Sequence, residues 1–420
     1  MGTHTDLSPG KDRVRLFTND REGIFLRRPN RFLIIVQDGA EELACHCPNP
    51  GRLIEFLFPG VRMILEKRGK APSAKTGSPP KTNWTIGGVY HRNRVAPLFA
   101  ARANGAAKGL ILKKIIPGLT ELHGEYTVGS SRFDFMGLDA ENRPHLIEVK
   151  ACSLVENRVA MFPDAPSTRA LKHLEELAAL THQGFRGHVL FVIVHGHPQV
   201  FIPNLHTDPR FAAGLSRYGL VASPPDQDNS GLVRPEAGKV LIHASLLRCN
   251  PQGEARLVAP YVPVDLRHGP LAESNRGNYL ILLEVPEEQC LQVGSLEACT
   301  FAPGWYVYTG SAQRNLSHRV NRHLRKIRKH RHWHIDYLTP HTKTIKALPI
   351  LSYQNRECEL AHDLQGIGGK PIIDFGCSDC SCKSHLFYFA HPPMGNRAFV
   401  ELFLRYRAHF SPTTGEESSP

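Results

Sequence analysis

Residues 132–151, RFDFMGLDAENRPHLIEVKA, carry the strongest structural signal in the sequence. Both ends alternate apolar and polar side chains with the period of two that is typical of β-strands, and the polar run 139–144 separates them. If the strands pair through that turn, the aromatic and branched side chains lie on one face, and Asp134, Glu148 and Lys150 share the other. The stretch therefore predicts a hairpin with a polar surface of two carboxylates and one lysine.

The segments that follow extend this hairpin into an α/β domain. Ser167 or Thr168 can cap a helix with one leucine-rich face. The run 188–194 is almost continuously apolar, as expected for a strand that is covered on both faces. We therefore predict an α/β domain over residues 86–266.

The polar surface of the hairpin has a specific chemical use. Two neighbouring carboxylates repel each other unless a divalent cation bridges them, and Mg²⁺ or Mn²⁺ prefers such oxygen ligands. A nearby lysine can orient a water molecule and balance charge as a phosphate arrives. Asp134, Glu148 and Lys150 are therefore typical of a metal-dependent phosphodiesterase. The alternative is a solvated strand face with a Glu–Lys pair, and the spacing alone favours that alternative.

Residues 1–85 differ from the middle of the chain in pattern and in charge. Short apolar runs alternate with turns, which predicts a small β-barrel of the OB type. These runs are 32–36, 53–58 and 61–66. Residues 1–117 contain 20 Lys and Arg against 9 Asp and Glu. This positive charge favours a nucleic-acid partner, although ordinary solubility charge explains it equally well.

Several stretches of the first 266 residues resemble the sugar fermentation stimulation protein A family. They are RRPNRF (27–32), CHCPNPGR (45–52), GSSRFDF (129–135), IEVKACSLV (147–155) and MFPDAPSTRALKHLEEL (161–177). The resemblance implies an N-terminal OB-like domain followed by a PD-(D/E)xK nuclease-like domain, and it implies DNA binding. The nuclease-like fold suggests hydrolysis of the DNA.

The same resemblance implies roles for individual residues. It makes Asp134 and Glu148 metal ligands, Lys150 the motif lysine and Glu125 an upstream acid. The polar residues that match the surroundings of this site, and from which we expect DNA contacts, are Arg132, Arg169, Lys172 and His173.

A second pattern occupies residues 277–410, after a polar linker over 267–276. Its predicted elements are strands over 278–285 and 304–308 and an amphipathic helix over 316–331. Residues 313–346 contain ten Lys and Arg and one acid, so the outer side of the helix is basic. The DNA contacts expected there are Arg322, His323, Arg325 and Lys326.

Two tyrosines, an arginine and a carboxylate form a second candidate site. Tyr279 and Tyr308 lie near strand ends, Arg319 lies on the basic helix, and Glu357 follows, with Glu359 in reserve. A phenol can relay the proton of an attacking water, an arginine can neutralise phosphate charge, and a carboxylate can hold Mg²⁺ at the leaving oxygen. The alternative is two buried tyrosines beside a solvated basic helix.

Runs across residues 277–390 resemble the GIY-YIG nuclease-like domain of unknown function. They are GNYLILLEV, GWYVYTGSA, LSHRVNRHLRK, HWHIDYL, ECELA and GCSDCSCKSHLFYF. The resemblance makes Tyr279 and Tyr308 the motif tyrosines, Arg319 the motif arginine and Glu357 the motif acid.

Residues 377–385 concentrate soft metal ligands. Cys380, Cys382 and His385, with Cys358 brought close by the fold, would form a tetrahedral site for a structural Zn²⁺ ion. The alternative is a set of buried thiols that pack as small hydrophobic side chains, and the tight Cys-x-Cys spacing favours this alternative.

The composition limits the remaining classes of protein. The 420 residues carry a net charge of +12 and 41% hydrophobic residues, the balance of a folded chain of two or three domains. The longest apolar runs are too short to span a bilayer, and the N-terminus lacks the apolar core of a secretion signal. We therefore expect a cytoplasmic protein with no membrane partner and with a disordered tail over 411–420.

The leading hypothesis is a DNA-binding endonuclease that cleaves phosphodiester bonds with Mg²⁺ or Mn²⁺. Its predicted fold is α/β with an N-terminal small β-barrel. The predicted domains are an OB-like barrel (1–85), a PD-(D/E)xK nuclease-like domain (86–266) and a GIY-YIG-like domain (277–410). The rival is a non-catalytic DNA-binding regulatory protein that retains nuclease folds as scaffolds, and the oligomeric state stays open.

Overall fold

The chain divides into two compact units, Met1–Glu273 and Ser274–Pro420. The structure is a computed structural model, and it describes residues 12–69, 82–224, 236–327 and 330–408. Within those ranges, no helix combines the length and the apolar character that crossing a membrane requires. Most of the predicted loop 69–83, part of the irregular stretch 222–239 and the predicted tail 411–420 lie outside the described residues.

In the described part of the N-terminal unit, five of the first seven strands close into a barrel. The strands are β1 (Val14–Arg15), β2 (Arg21–Asn30), β3 (Leu33–Asp38), β4 (Glu41–His46), β5 (Arg62–Lys67), β6 (Trp84–His91) and β7 (Arg94–Pro97). The barrel order is β4-β3-β2-β5-β6, and parallel pairing of Cys45 with Trp84 and of His46 with Thr85 closes it. The prediction of a small N-terminal barrel is confirmed.

The same sheet continues from the barrel into an α/β layer structure. Its helices are α1 (Ala103–Ala106), α2 (Leu112–Ile115), α3 (Thr168–Thr181), α4 (Pro209–Tyr218) and α5 (Gly269–Glu273). The strands of this part that belong to the same sheet are β8 (Thr120–Val128), β9 (Ser131–Leu138), β10 (Pro144–Cys152), β13 (Arg186–Ile193), β15 (Gly219–Val221), β16 (Val240–Cys249) and β17 (Glu254–Ala259). A separate three-stranded sheet contains β11 (Leu154–Glu156), β12 (Val159–Phe162) and β14 (Val200–Pro203). β10, β13 and β16 run parallel, and β9 and β8 add antiparallel strands at one side.

Helices cover both faces of this sheet. Ile111, in the π-helical turn that joins α1 to α2, packs in one apolar cluster with Leu190 of β13. Leu174 of α3 packs in a second cluster with Phe191, the next residue of β13. Since neighbouring strand residues face opposite layers, the residues 189–194 that follow His188 are all apolar, and the predicted α/β arrangement is confirmed.

The C-terminal unit is built on an antiparallel sheet of order β22-β18-β21-β24-β23. Its described strands are β18 (Gly277–Val285), β19 (Gln289–Gln292), β20 (Ala298–Phe301), β21 (Gly304–Ala312), β22 (Thr344–Leu351), β23 (Lys370–Pro371) and β24 (Leu386–Phe389). Its described α-helices are α6 (Leu316–Leu324), α7 (Ile335–Leu338), α8 (Glu357–Gly366) and α9 (Arg397–Ala408). The prediction of a C-terminal α/β domain is confirmed.

Two predicted elements differ from the observed ones. The apolar run 53–58 forms turns instead of a strand: Leu53 has a positive φ of 52°, and the Phe56 N–H donates to the Leu53 carbonyl oxygen. The helix predicted over 316–331 ends at Leu324, because Arg325 has an extended backbone. The turns at 53–58 bury Leu53, Phe56 and Phe58, whereas Ile327, the next apolar position beyond α6, is 79% exposed.

The domain limits expected from the sequence fall within a strand and a helix of the structure. The limit at residue 85 falls inside β6, whose pairing with β4 and β5 belongs to the barrel. The expected linker 267–276 contains α5, which packs against α4 of the N-terminal unit. Composition placed these limits near polar residues, whereas strand pairing and helix packing carry the N-terminal unit through Glu273.

Candidate functional site

The carboxylate site, which we define as Asp134, Glu148 and Lys150, is built on β9 and β10. The ladder between these strands reaches the pair Phe135–Ile147. Beyond it, Asp134 Oδ2 accepts the backbone N–H of Val149 at 2.8 Å. The Asp134 carboxylate is thereby held against the strand that carries Glu148 and Lys150.

Asn104 of α1 completes the contacts of Asp134. Its Nδ2 donates to Asp134 Oδ1 at 2.7 Å, so each oxygen of this carboxylate accepts one hydrogen bond from the protein. A carboxylate oxygen has two lone-pair positions, and each oxygen of Asp134 keeps acceptor capacity. The sequence prediction missed Asn104, because the ANGA segment around it shows no pattern that indicates a site.

Glu148 is buried and only half satisfied. Its Oε1 lies 2.7 Å from His173 Nδ1 and also accepts a hydrogen bond from Lys150 Nζ. Its Oε2 is buried without a hydrogen-bond partner among the described residues. Arg169 Nε donates to His173 Nε2 at 3.4 Å, which leaves the ring proton on Nδ1, facing Glu148.

The two carboxylates have pKa values that move in opposite directions. Burial, with the nearby charge of Glu148, raises the pKa of Asp134 above its ordinary value. Burial also disfavours ionised Glu148, but the hydrogen bonds from His173 and Lys150 outweigh it and lower the pKa of Glu148. Glu148 therefore ionises more readily than an ordinary glutamate and Asp134 less readily than an ordinary aspartate, so a cation would stabilise the charge of Asp134.

The other predicted residues of this region divide between surface and interior. Glu125 has a 75% exposed side chain that pairs with Arg132 at 3.6 Å, so the structure does not place it among the buried carboxylates. Arg169 and Lys172 are exposed, as DNA contacts require. His173 is 6% exposed, which corrects the expectation that it contacts DNA. Its place on the inner face of α3 makes it a partner of Glu148 instead.

A cavity of about 360 Å³ opens beside Lys150. Its lining includes Asn49 and Gly51, from the loop after β4, and Asp164 and Ser167, from the loop before α3. A Cβ atom at Gly51 would lie 1.8 Å from Asp164 Oδ2, so glycine is needed for the two loops to approach. The cavity therefore lies between a loop of the barrel and the α/β layer.

Arg28 organises the barrel side of this cavity. Its guanidinium donates to the carbonyl oxygens of Gly51 at 2.6 Å, Arg31 at 2.8 Å, Asn49 at 3.0 Å and Arg52 at 3.1 Å. The two stretches RRPNRF and CHCPNPGR therefore form one structural feature, although 12 residues separate them.

The tyrosine site, which we define as Tyr279, Tyr308, Arg319 and Glu357, lies in the C-terminal unit. Tyr279 of β18 pairs in register with Gly310 of β21. A Cβ atom at Gly310 would lie 2.3 Å from the ring of Tyr279, so the glycine leaves the space that this ring fills. Tyr279 and Tyr308 are 2% and 5% exposed and share one apolar cluster.

A histidine and an aspartate continue inward from Tyr279. The Tyr279 hydroxyl lies 3.0 Å from His323 Nε2, and His323 Nδ1 lies 3.7 Å from Asp336 Oδ1. Asp336 Oδ2 accepts the N–H groups of His332 at 3.0 Å and Trp333 at 3.1 Å. The sequence prediction missed Asp336, although it is the single acid in the basic region 313–346.

The phenols of this site are held protonated. Burial and the charge of Glu357 raise the pKa of Tyr279, which the Arg319 charge opposes. Burial, with Tyr279 and Glu357, raises the pKa of Tyr308 well above its ordinary value. A raised pKa favours the protonated phenol in both side chains, and the Tyr279 hydroxyl can donate to His323 Nε2.

Glu357 has a protein neighbour at each carboxylate oxygen. Oε2 accepts a hydrogen bond from Ser311 Oγ at 2.7 Å, and Oε1 lies 2.8 Å from His385 Nδ1. A metal ion at Glu357 would have to share these oxygens with both neighbours. The reserve acid, Glu359, is exposed and pairs with Arg356 at 2.8 Å.

The basic residues of α6 and of the two positions after it do not form one exposed row. His323 is 1% exposed, which corrects its assignment as a DNA contact. Arg322 pairs with Asp336 at 3.0 Å, and Lys326 Nζ donates to the Thr342 carbonyl oxygen at 2.5 Å. Arg325 is exposed. Of the four DNA contacts predicted here, Arg325 is the one that is exposed and that makes no such contact with the described residues.

The cysteine cluster, which we define as Cys358, Cys380, Cys382 and His385, comes together in the C-terminal unit. One ligand atom from each residue lies within 4.8 Å of all the others. Cys358 comes from the first turn of α8, and the other three come from the segment between β23 and β24. The structure therefore brings together the four residues that the sequence analysis selected.

Three family models match successive parts of the chain. Residues 26–96 match the SfsA N-terminal OB domain, and residues 101–219 match the sugar fermentation stimulation protein RE domain. Residues 278–407 match a domain of unknown function, DUF123. The two resemblances drawn from the sequence are confirmed.

Curated relatives cover the N-terminal unit. A sugar fermentation stimulation protein homolog from Clostridium botulinum is 37% identical over 197 residues, 46% of this chain and 82% of the relative. A homolog of the same name from Desulfitobacterium hafniense is 38% identical over 200 residues, 47% of this chain and 84% of the relative. A solved structure, Pyrococcus furiosus SfsA in complex with Ca²⁺, is 26% identical, with a TM-score of 0.47, covering 60% of this chain and 99% of that one.

Proposed function

This chain belongs to the sugar fermentation stimulation protein family, and from that premise we propose that it binds DNA and hydrolyses phosphodiester bonds at the carboxylate site with Mg²⁺ or Mn²⁺. The observation that carries the proposal is the unpartnered Glu148 Oε2, buried beside Asp134. A buried charged acceptor without a partner costs free energy, and a divalent cation is the partner that two carboxylates favour.

The donor set fits such a cation. Asp134 and Glu148 would hold it, each through acceptor capacity that the protein leaves open. Two carboxylates are enough protein ligands for Mg²⁺, because water molecules and phosphate oxygens of the substrate usually fill its other coordination positions. When bound, the cation supplies positive charge beside the scissile phosphate and acidifies water.

The chain's own residues have separate tasks in this proposal. His173 holds Glu148 Oε1 and so sets the direction of Oε2. Lys150 bonds to Glu148 and lines the cavity, so its ammonium can orient a water molecule and offset phosphate charge there. Asn104 and the Val149 N–H keep the Asp134 carboxylate in place.

The barrel offers a surface for the DNA. Phe32, in the turn between β2 and β3, is 48% exposed, and the Arg31 guanidinium lies 4.7 Å from its ring centre. Arg31 also lines the cavity beside Lys150. An exposed aromatic ring next to an arginine can stack on an unpaired base while the arginine neutralises the backbone.

A binding measurement tests the barrel surface. Phe32→Ala should weaken binding of single-stranded DNA by about 1–3 kcal/mol, the usual value of one base stack. Ile24→Ala is the matched control, since Ile24 is an apolar barrel residue with 36% exposure. Equal affinities of the two variants would remove Phe32 from the proposed interface.

The cleavage test uses the full chain with single-stranded, nicked and branched DNA, and RNA as a further substrate. Products should form with Mg²⁺ or Mn²⁺, disappear with a chelator and fall to background in Glu148→Ala. Glu175→Ala is the matched control, because Glu175 is an exposed acid of α3. If the parent makes no more product than Glu148→Ala, the enzyme proposal is rejected.

The rival function is DNA binding without cleavage. Two contacts of the tyrosine site favour it, because Tyr279 and Glu357 already have partners within the fold, His323 and Ser311. Salt-sensitive DNA binding without metal-dependent products, in the same preparations, is the result that would select this rival.

A further inference from the structure

The cysteine cluster joins an irregular segment to a helix. Between Pro371 and Leu386 the chain forms turns and bends without a helix or strand. Its backbone is held by bonds such as Asp374 N–H to the Lys383 carbonyl oxygen at 3.0 Å. Cys380 and Cys382 lie on this segment, whereas the fourth donor, Cys358, lies on α8. A bond among these donors would fasten the segment to the helix.

The donor geometry is close to that of a tetrahedral ion. Zinc–sulfur bonds of about 2.3 Å place neighbouring ligand atoms about 3.8 Å apart. The four ligand atoms lie within 4.8 Å of one another, so each has to move inward by well under one ångström. Three sulfurs and one imidazole favour Zn²⁺ over Mg²⁺ or Mn²⁺, which prefer oxygen.

The ring of His385 is oriented as a metal ligand requires. Nε2 lies 3.5 Å from Cys380 Sγ, and Nδ1 faces Glu357 Oε1 at 2.8 Å. His385 Nδ1 is buried and has no aligned hydrogen bond among the described residues, so the ring is free to settle onto an ion while keeping Glu357 beside it. A carboxylate behind the second ring nitrogen is the usual support of a metal-bound histidine.

We propose that Cys358, Cys380, Cys382 and His385 bind one structural Zn²⁺ ion, with Glu357 as the residue that positions His385. Four protein ligands complete the coordination, so the ion fastens the segment before β24 to α8 and has no open position for a substrate. Because Glu357 also accepts from Ser311, the same ion would steady the carboxylate of the tyrosine site.

Metal analysis of the purified full chain tests the site. We expect about one zinc per chain in the parent and a large loss in Cys380→Ser. Cys290→Ser and His362→Gln are the controls: Cys290 is an exposed thiol of β19, and His362 lines the groove beside the cluster outside the four-residue set. Both should keep the parent's zinc.

A measurement on the parent covers the case in which Cys380→Ser does not fold. Replacement of zinc by Co²⁺ should give thiolate-to-cobalt charge transfer and the strong visible absorption of tetrahedral cobalt. A folded parent with less than about a tenth of a zinc per chain and no such absorption would overturn the site. A parent chain that loses two hydrogens by mass, as a disulfide among these cysteines, would overturn it as well. None of these readouts depends on DNA cleavage.

The role of Glu357 has its own test. Glu357→Gln should weaken zinc binding by about 10- to 100-fold in competition with a chromophoric chelator, and should shift the cobalt spectrum. Glu359→Gln is the matched control, because Glu359 is exposed and pairs with Arg356. Equal zinc affinity and an equal spectrum in both variants would remove the positioning role.

Discussion

The carboxylate site and the tyrosine site differ in how much of their hydrogen-bonding capacity the protein itself uses. Glu148 is buried with one oxygen unpartnered among the described residues, and burial together with the charge of Glu148 raises the pKa of Asp134. In the tyrosine site, Tyr279 pairs with His323, and Glu357 has a serine and a histidine at its oxygens. The first site is left incomplete by the fold, and the second is nearly closed.

This difference is the reason why we propose a function for the carboxylate site and a structural role for the tyrosine site. An unpaired buried acceptor lowers the free energy of unfolding by about 1–3 kcal/mol, and a ligand that binds the acceptor would offset this loss. In the tyrosine site the Tyr279 hydroxyl contacts His323 at 3.0 Å, and His323 lies at ion-pair distance, 3.7 Å, from Asp336, so these contacts stabilise the unit that contains them without a ligand. The following predictions separate these two descriptions.

Asp134→Ala should have the largest effect on activity. It removes a proposed cation ligand and should lower metal-dependent DNA cleavage by about 100-fold or more. Tyr308→Phe removes one hydroxyl from the tyrosine site and should leave the rate unchanged. Initial rates on one labelled DNA measure both variants. The comparison breaks if Tyr308→Phe loses as much activity as Asp134→Ala, because the cleaving site would then lie in the C-terminal unit.

His173→Ala should weaken the carboxylate site without removing a ligand. Loss of the contact to Glu148 Oε1 should lower Mg²⁺ affinity by about 10- to 100-fold, measured by calorimetric titration. Lys172→Ala changes the neighbouring, exposed residue of α3 and should bind Mg²⁺ like the parent. If both variants bind equally, Glu148 does not depend on His173 for its direction.

Tyr279→Phe should destabilise the C-terminal unit. The change removes the hydroxyl that pairs with His323 Nε2, and losing one partner of a buried hydrogen bond costs about 1–3 kcal/mol of unfolding free energy. Tyr353→Phe is the control, because Tyr353 is 53% exposed and the change should stay within about 0.5 kcal/mol. Urea unfolding measures both, and equal stabilities would mean that the Tyr279–His323 contact does not stabilise the unit.

Asp134→Asn should change how stability depends on pH. The folded chain keeps the Asp134 proton at pH values where the unfolded chain has lost it, because the folded pKa is raised. The parent therefore loses stability as pH rises from about 4 up to the folded pKa of Asp134, and Asp134→Asn does not. The variant should gain stability relative to the parent across that window. Unfolding free energies that keep a constant difference would contradict a raised pKa.

The fold could be predicted where local pattern is strong. The alternation in residues 132–151 identified the strands that carry Asp134 and Glu148, and Ser167 is the observed cap of α3. The predicted secondary structure was wrong in two places where the same spacing of apolar residues is compatible with more than one backbone conformation. Residues 53–58 bury their apolar side chains through turns, and α6 ends at Leu324 although the apolar period continues.

The candidate sites could be predicted only in part. Local spacing selected Asp134, Glu148 and Lys150 as candidates, because carboxylates and lysines are the residue types that can bind cations or transfer protons. Local spacing could not identify Asn104 as a hydrogen-bond partner of Asp134. It also could not identify Asp336 as the residue that lies next to His323, the partner of Tyr279, because both contacts join segments that are distant in sequence. It also assigned His173 and His323 to the surface, since a histidine on an amphipathic helix reveals its burial only when its packing partner is known.

The amino-acid order alone established the barrel, the α/β layers and the identity of the reactive side chains, because strand and helix periods are properties of ten to twenty neighbouring residues. Packing between segments established which of those side chains are buried, paired or left open. His173 of α3 contacts one oxygen of Glu148 and leaves the other without a partner among the described residues. In Glu357, His385 from the segment before β24 lies at the oxygen that Ser311 does not occupy. Burial and hydrogen-bond partners arise from such long-range contacts, and no local period encodes them.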